Sequence, residues 1–401
     1  MRISTVTMFE QGLSSMVRQQ SEYLKVGQQI ASGKRVVNPS DDPQAASRAI
    51  SVSQSLAVNK QYDDARVSTR NALSQQESVL SSVANAIASA KTGLVRAGNG
   101  TLSDADRSSL AIEIKGIYET LFGQANATDG GGHYLFGGYQ DSSPPFVKDD
   151  ISGAVAYHGD EGVVLQQVDA SRQMPSSDNG KRIFQTVHAS AGYLAQADAD
   201  NAGNLTFTGP NVTDSSAIDF GSGFTLDFAV DADGDITYST DGGITPIPYT
   251  DGQSVAVNGL TLTLEGTPAD GDSIVVEKAQ DADPNLFRTL ENMIAVLDTP
   301  IETDADLARL QNTLSTSSRE LDNALDNVLT VRASMGARLN ELDVLDAVGD
   351  NRNLNYKQTL SDLVDLDFNA AISEYRLREV GLQAAQKAFV DISKLSLFNL
   401  I

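Results

Sequence analysis

Residues 307–345 read LARLQNTLSTSSRELDNALDNVLTVRASMGARLNELDVL. Stepping through them by three and four gives Leu307, Leu310, Leu314, Ser317, Leu321, Ala324, Val328, Val331, Met335, Arg338, Leu342 and Leu345. Ten of these twelve positions are apolar. Alternating steps average about 3.5 residues, the period of a coiled-coil seam. The stretch therefore predicts a long helix packed along most of its length. Rows with the same spacing at 73–97 (Leu73, Leu80, Val83, Ile87, Ala90, Leu94, Ala97) and at 110–121 (Leu110, Ile114, Ile117, Leu121) are its expected partners within one subunit.

Both ends of the chain repeat the pattern. Near the C-terminus the row is Val364, Phe368, Ala371, Tyr375, Arg378, Leu382, Ala385, Phe389 and Ile392; near the N-terminus it is Phe9, Leu13, Met16, Gln20, Tyr23, Gly27 and Ile30. An isolated helix is marginal in water until an apolar face is packed. The two ends are thus expected to lie side by side and then to stack against copies of the chain. The candidate assembly surface is Phe9, Leu13, Met16, Tyr23, Ile30, Phe368, Tyr375, Leu382, Ala385, Phe389, Ile392, Leu395 and Phe398. Gln20 and Arg378 interrupt the rows; polar residues there either set register or reach to the seam edge.

Proline divides the chain. All eleven prolines fall between Pro39 and Pro300, and none occurs in 44–143 or 301–401. Proline removes a helix hydrogen bond and clashes with the preceding turn, so the two free spans permit long helices. Helices are predicted over 4–31, from Pro43 to about 97 behind an Asp or Ser cap, after Ser103-Asp104, from 284 to about 298, and from 303 to the end. After Thr128 glycine turns and period-2 pieces take over. Tyr134-Leu135-Phe136 reads as a short strand, as do Phe224–Phe228 and Leu260–Leu264. The predicted fold is mainly α with an inserted β domain. Terminal coiled-coil segments (1–42 and 358–401) continue into a helical rod with a β-hairpin segment (43–185 and 284–357), and 186–283 form an acidic β-rich outer domain.

Composition excludes several functions. There is no cysteine among 401 residues, so no disulfide, zinc thiolate or cysteine nucleophile exists. The N-terminus lacks the apolar region of a secretory signal, and no apolar run is long enough for a transmembrane helix, so no membrane partner is expected. Net charge is −24. Residues 198–283 hold sixteen Asp and Glu against one basic residue, Lys278. Such a surface repels nucleic acid. Asp231-Ala232-Asp233-Gly234-Asp235 resembles the start of a calcium loop, but Ile236 stands where the loop needs glycine and Gly242 where it needs glutamate, which favours a solvated turn. His133, His158 and His188 share no metal spacing. No paired carboxylates, phosphate loop or nucleophile–base set stands out, so no catalytic, cofactor or metal site is assigned.

Local motifs carry a resemblance. Ile30-Ala31-Ser32-Gly33-Lys34-Arg35-Val36 resembles the end of the first terminal helix in the flagellin-like family of bacterial flagellar axial proteins. Asn38-Pro39-Ser40-Asp41-Asp42-Pro43, Tyr134-Leu135-Phe136-Gly137-Gly138, Tyr157-His158-Gly159-Asp160 and the ending Ile392-Ser393-Lys394-Leu395-Ser396-Leu397-Phe398 are similar to its junction proteins more than to flagellin. The resemblance covers about 1–185 and 284–401; within the middle, only Gly266–Asp272 looks like a loop common in hook-associated proteins. It implies a structural, non-enzymatic adaptor at the hook–filament junction, exported through the flagellar type III apparatus to an extracellular position. Its implied partners are hook-associated protein 1 below, flagellin above, further copies of itself, and a flagellar export chaperone. A flagellin-type filament subunit is the alternative.

Overall fold

Several of the long helices begin where a side chain satisfies free N–H groups. The computed structural model describes residues 5–149 and 153–398. Helix α1 spans Thr5–Ser32, α2 Pro43–Ala97, α3 Asp104–Ala125, α5 Leu286–Asp298, α6 Asp304–Val364 and α7 Phe368–Phe398. Asp42 caps α2 through the Ala45 N–H (3.0 Å), with Pro43 in the first turn. Ser103 and Asp106 form a reciprocal capping box on α3. Thr303 and Asp306 do the same for α6.

The chain separates into two compact units, 1–64 with 344–401 and 65–343. In the second, α2 and α6 run antiparallel. Buried Leu73, Leu80, Val83, Ile87 and Leu94 belong to one; buried Leu310, Leu314, Leu321, Val328, Val331, Met335 and Leu342 belong to the other. Ion pairs join their faces: Arg70–Asp343 at 2.5 Å, Glu77–Arg332 at 2.7 Å, and Lys91–Asp322. Helix α3 adds buried Leu110, Ile114 and Leu121.

Arg338, a polar interruption of the seam, is almost fully buried and pairs with the carboxylate of Asp178, itself 3% exposed. It also donates to the carbonyl of Pro175. Two hairpins, β1–β2 (Phe146–Lys148, Val155–Tyr157) and β3–β4 (Leu165–Asp169, Arg172–Pro175), and the one-turn helix α4 (Gly180–Phe184) lie along the chain between α3 and the β-rich segment. Phe146, Phe184 and Phe287 pack ring on ring there, with centroids 5.3–5.8 Å apart.

The expected strand at Tyr134–Phe136 is instead a set of turns. Tyr134 makes only an isolated bridge to Thr128, because the backbone N–H of Leu135 is taken by Ala127 and that of Tyr134 by Asp141.

From Tyr193 the chain is β. Strands β5 (Tyr193–Ala197), β12 (Ser273–Lys278), β7 (Phe224–Val230), β8 (Ile236–Ser239) and β9 (Ile247–Pro248) form one antiparallel sheet in that order. Strands β10 (Ser254–Val257), β11 (Leu260–Glu265) and β6 (Thr206–Val212) form another. Leu226, Phe228, Leu260, Leu262, Leu264, Ile274 and Val276 make their shared core. First and last strands are paired neighbours: Tyr193 faces Lys278, and the Ala279 N–H bonds the Gly192 carbonyl at 2.9 Å.

The 231–235 stretch is the solvated turn expected, with Asp231 accepting from the N–H groups of Asp233 and Asp235. Asp272 organises the 266–272 loop: its buried carboxylate accepts from the backbone of Ala202 (2.8 Å), Gly203 (3.0 Å) and Ala269 (2.8 Å). Asp272→Ala strands three donors and should cost about 3 kcal/mol. A lower thermal midpoint for the unit formed by 65–343 checks this.

Candidate assembly surface

The first unit holds the terminal helices. α1 and α7 run antiparallel, so each step forward along one is matched by a step back along the other. Phe9 meets Phe389 (ring centroids 4.9 Å). Tyr23 stacks on Tyr375 at 4.6 Å, and their hydroxyls hydrogen-bond at 2.5 Å. That bond, followed by partial burial, raises the Tyr23 phenol above its ordinary value.

Small residues make room for the rings. A Cβ at Gly12 would lie 3.5 Å from Phe389, one at Gly27 3.5 Å from Tyr375, and one at Gly33 3.7 Å from Phe368. Glycines opposite aromatic knobs let two helix backbones approach closely without a third partner. Met16, Tyr23, Ile30, Tyr375, Leu382, Ala385 and Phe389 are half-buried, while Phe9, Leu13 and Phe368 remain exposed. Helix α7 continues through Ile392, Leu395 and Phe398, whose side chains lie outside the described residues. Arg378 reaches to the seam edge, bonding Glu374 at 3.1 Å and approaching Glu22 at 3.8 Å; Gln20 is exposed.

The helix expected to run unbroken from 303 to the end is interrupted at Asp365–Asp367. The break lies level with the end of α1. Arg35 N–H donates to Val364 O (2.8 Å) and Leu366 N–H to Gly33 O (3.0 Å), and Lys34 bridges Asp365. Gly33 supplies the positive φ (+68°) that turns the chain. Asp367 restarts α7 by accepting from Asn369 and Ala370 N–H. Two basic residues pair with the acidic segment that follows: Lys25 of α1 with Asp41 and Arg35 with Asp42, both at 3.1 Å. The carboxyl of Asp41 is held below its usual range, first by the Asn38 backbone N–H and then by Lys25.

Much of the pair's apolar surface stays open. Leu377 is 71% exposed, Val380 63%, Leu24 56% and Val17 56%. Two helices alone cannot enclose so many apolar side chains, and contiguous exposed apolar surface marks an interaction site. Their outward position was not singled out by the sequence rows, which follow only the inner seam. Among the described residues no cluster of His, Asp or Glu could hold a metal, and no helix is long and apolar enough to cross a membrane.

A terminal helix pair flanking an inserted β-rich segment is a flagellin-like architecture. Residues 3–141 match the bacterial flagellin N-terminal helical region. Over 401 residues the chain is 36% identical to flagellar hook-associated protein 3 of Salmonella typhimurium, covering 100% of this chain and 99% of that protein, and it matches the Escherichia coli protein of that name equally well. Among solved structures, Xanthomonas campestris FlgL superposes with a TM-score of 0.67 at 26% identity, over 77% of this chain and 99% of that one. The flagellar junction protein FlgL from Legionella pneumophila shares the fold, with a TM-score of 0.65 at 24% identity over 79% and 100%. The chain belongs to the flagellar hook-associated protein 3 family.

Proposed function

We propose that this chain is the structural adaptor of the hook–filament junction. It forms a thin layer of identical subunits on hook-associated protein 1 and receives the first flagellin subunits. The observation that carries this reading is the α1–α7 pair, which closes its own seam and leaves a second apolar face for neighbours. The residues from Phe9 to Ile30 and from Phe368 to Phe398 given above line the inner tube of the assembly. The terminal coil (1–42, 358–401), rod (43–185, 284–357) and acidic outer domain (186–283) are its three segments. Export proceeds through the flagellar type III apparatus with a dedicated chaperone, and the role is structural rather than enzymatic.

Deleting the gene in its host tests this. Hooks without filaments, with unpolymerised flagellin in the medium, are the expected result. Normal filaments, or loss of flagellin itself, would overturn it.

A further inference from the structure

A cleft of about 270 Å³ opens where β5 and the turn after it approach α5 and α6. It exists because the facing positions are small: Ala305, Ala308, Thr313 and Ser317 on α6, Ala295 on α5, and Gly203 on the turn. Asn312 and Thr316 are already committed. Asn312 bonds the backbone of Leu205 (2.8 Å) and Phe207 (3.1 Å), and Thr316 donates to Ala195 O (2.7 Å).

Three charged side chains line the cleft: Asp198 on the turn, whose Oδ1 accepts from the Asp200 N–H, and Arg309 and Glu320 on α6. Arg309 lines one end of the cleft; its side chain is 41% exposed, but its Nε–H is buried with no acceptor among the described residues. Its nearest carboxylate, Asp306, approaches only Nη1, at 3.8 Å. A buried donor without a partner is unfavourable, so a ligand acceptor there recovers a loss. Eleven residues on, about 16 Å along the helix, Glu320 lines the other end. Burial holds its carboxyl above the usual range, against the hydrogen bond with Thr289 and the charge of Arg288. It makes no ion pair among the described residues.

The geometry points to a binding site for a short extended peptide of about three residues, its terminal carboxylate on Arg309 and its ammonium on Glu320. The cleft has room for about nine waters at about 30 Å³ each. Three extended residues span about 10 Å, and the two charged side chains reach in from the ends. Gln196 and Asn292 on the walls offer amides to a peptide backbone, while Asn201 is committed to the backbone of Ser273; no aromatic side chain lines the cleft for a sugar to stack on. A ligand with one charge would leave the group at the other end unanswered.

Trialanine is the probe. Titrated into the full chain, it should shift the Arg309 Nε–H resonance saturably. Affinity should fall about tenfold or more when the peptide is amidated at its C-terminus or acetylated at its N-terminus, or in Arg309→Gln. Thr313→Leu, which fills the cleft, should abolish binding with an unchanged thermal melt. No shift at millimolar trialanine, equal affinity for the amidated peptide, or acetate alone binding as well as trialanine would each overturn the proposal.

The same carboxyl makes an independent prediction. A carboxyl whose pKa rises on folding binds more protons folded than unfolded, so stability falls as pH climbs through that interval. Glu320→Gln should therefore stabilise the ligand-free chain at neutral pH. The gain should fade as pH drops toward about 4.3, the unfolded glutamate range. Thermal melts at the two pH values check the sign.

Discussion

Phe389→Asp should leave cells with hooks but no filaments, flagellin in the medium, and no swimming. Phe389 sits against Phe9 and over Gly12, so the substitution places a carboxylate where the neighbours are a ring and a helix backbone. Neither offers a hydrogen bond, and an unpaired charge at an apolar contact is costly. The pair then loses the geometry that displays its second apolar face. The unit formed by 65–343 has its own core, so its melt should not change. Leu13→Asp should act in the same direction, while Phe389→Leu, which keeps the apolar knob, should still build filaments. Normal filaments from Phe389→Asp would remove the terminal pair from the assembly mechanism.

Asp178→Ala should cost about 3–5 kcal/mol, because it leaves the Arg338 guanidinium buried without its carboxylate. What remains to Arg338 is the Pro175 carbonyl and the Ser334 backbone and hydroxyl. Asp178 is further fixed by Gln76, whose side chain accepts the Asp178 N–H at 3.1 Å and donates to Leu135 O at 2.5 Å. The pair therefore ties α6 and α2 to the segment ahead of α4. Replacing both partners, Asp178→Leu with Arg338→Met, should cost much less than the two single changes together, since no charge is left stranded. Urea unfolding of the four proteins measures this; an Asp178→Ala cost below about 1 kcal/mol would mean that water reaches the guanidinium freely.

Period and proline made the helices legible. The 307–345 row was readable as a packed seam because its apolar spacing never slips, and the caps at Asp42 and Ser103 marked where helices start. The interruption at 365–367 was hidden because the row steps from Val364 to Phe368 as if the helix continued. What stops it is the end of α1, more than three hundred residues earlier in sequence. Only the cap chemistry of Asp367 hinted at a restart. Tyr134–Phe136 misled because an aromatic run between glycines satisfies strand propensity, while its hydrogen bonds go to turns. The cleft beside Arg309 had no signal at all. Alanine, threonine and serine at helical spacing look like any polar helix face until the opposing surface proves equally small.

The β-rich excursion leaves and re-enters the helical body at one spot, with Tyr193 paired to Lys278 and Gly192 bonded to Ala279. Its two ends therefore behave like the prongs of a plug. Insertions, deletions or wholesale replacement between them alter neither the distance that the flanking chain must bridge nor the spacing of the seams. Evolution can rewrite this segment's length and surface while the flanking helices keep their seams.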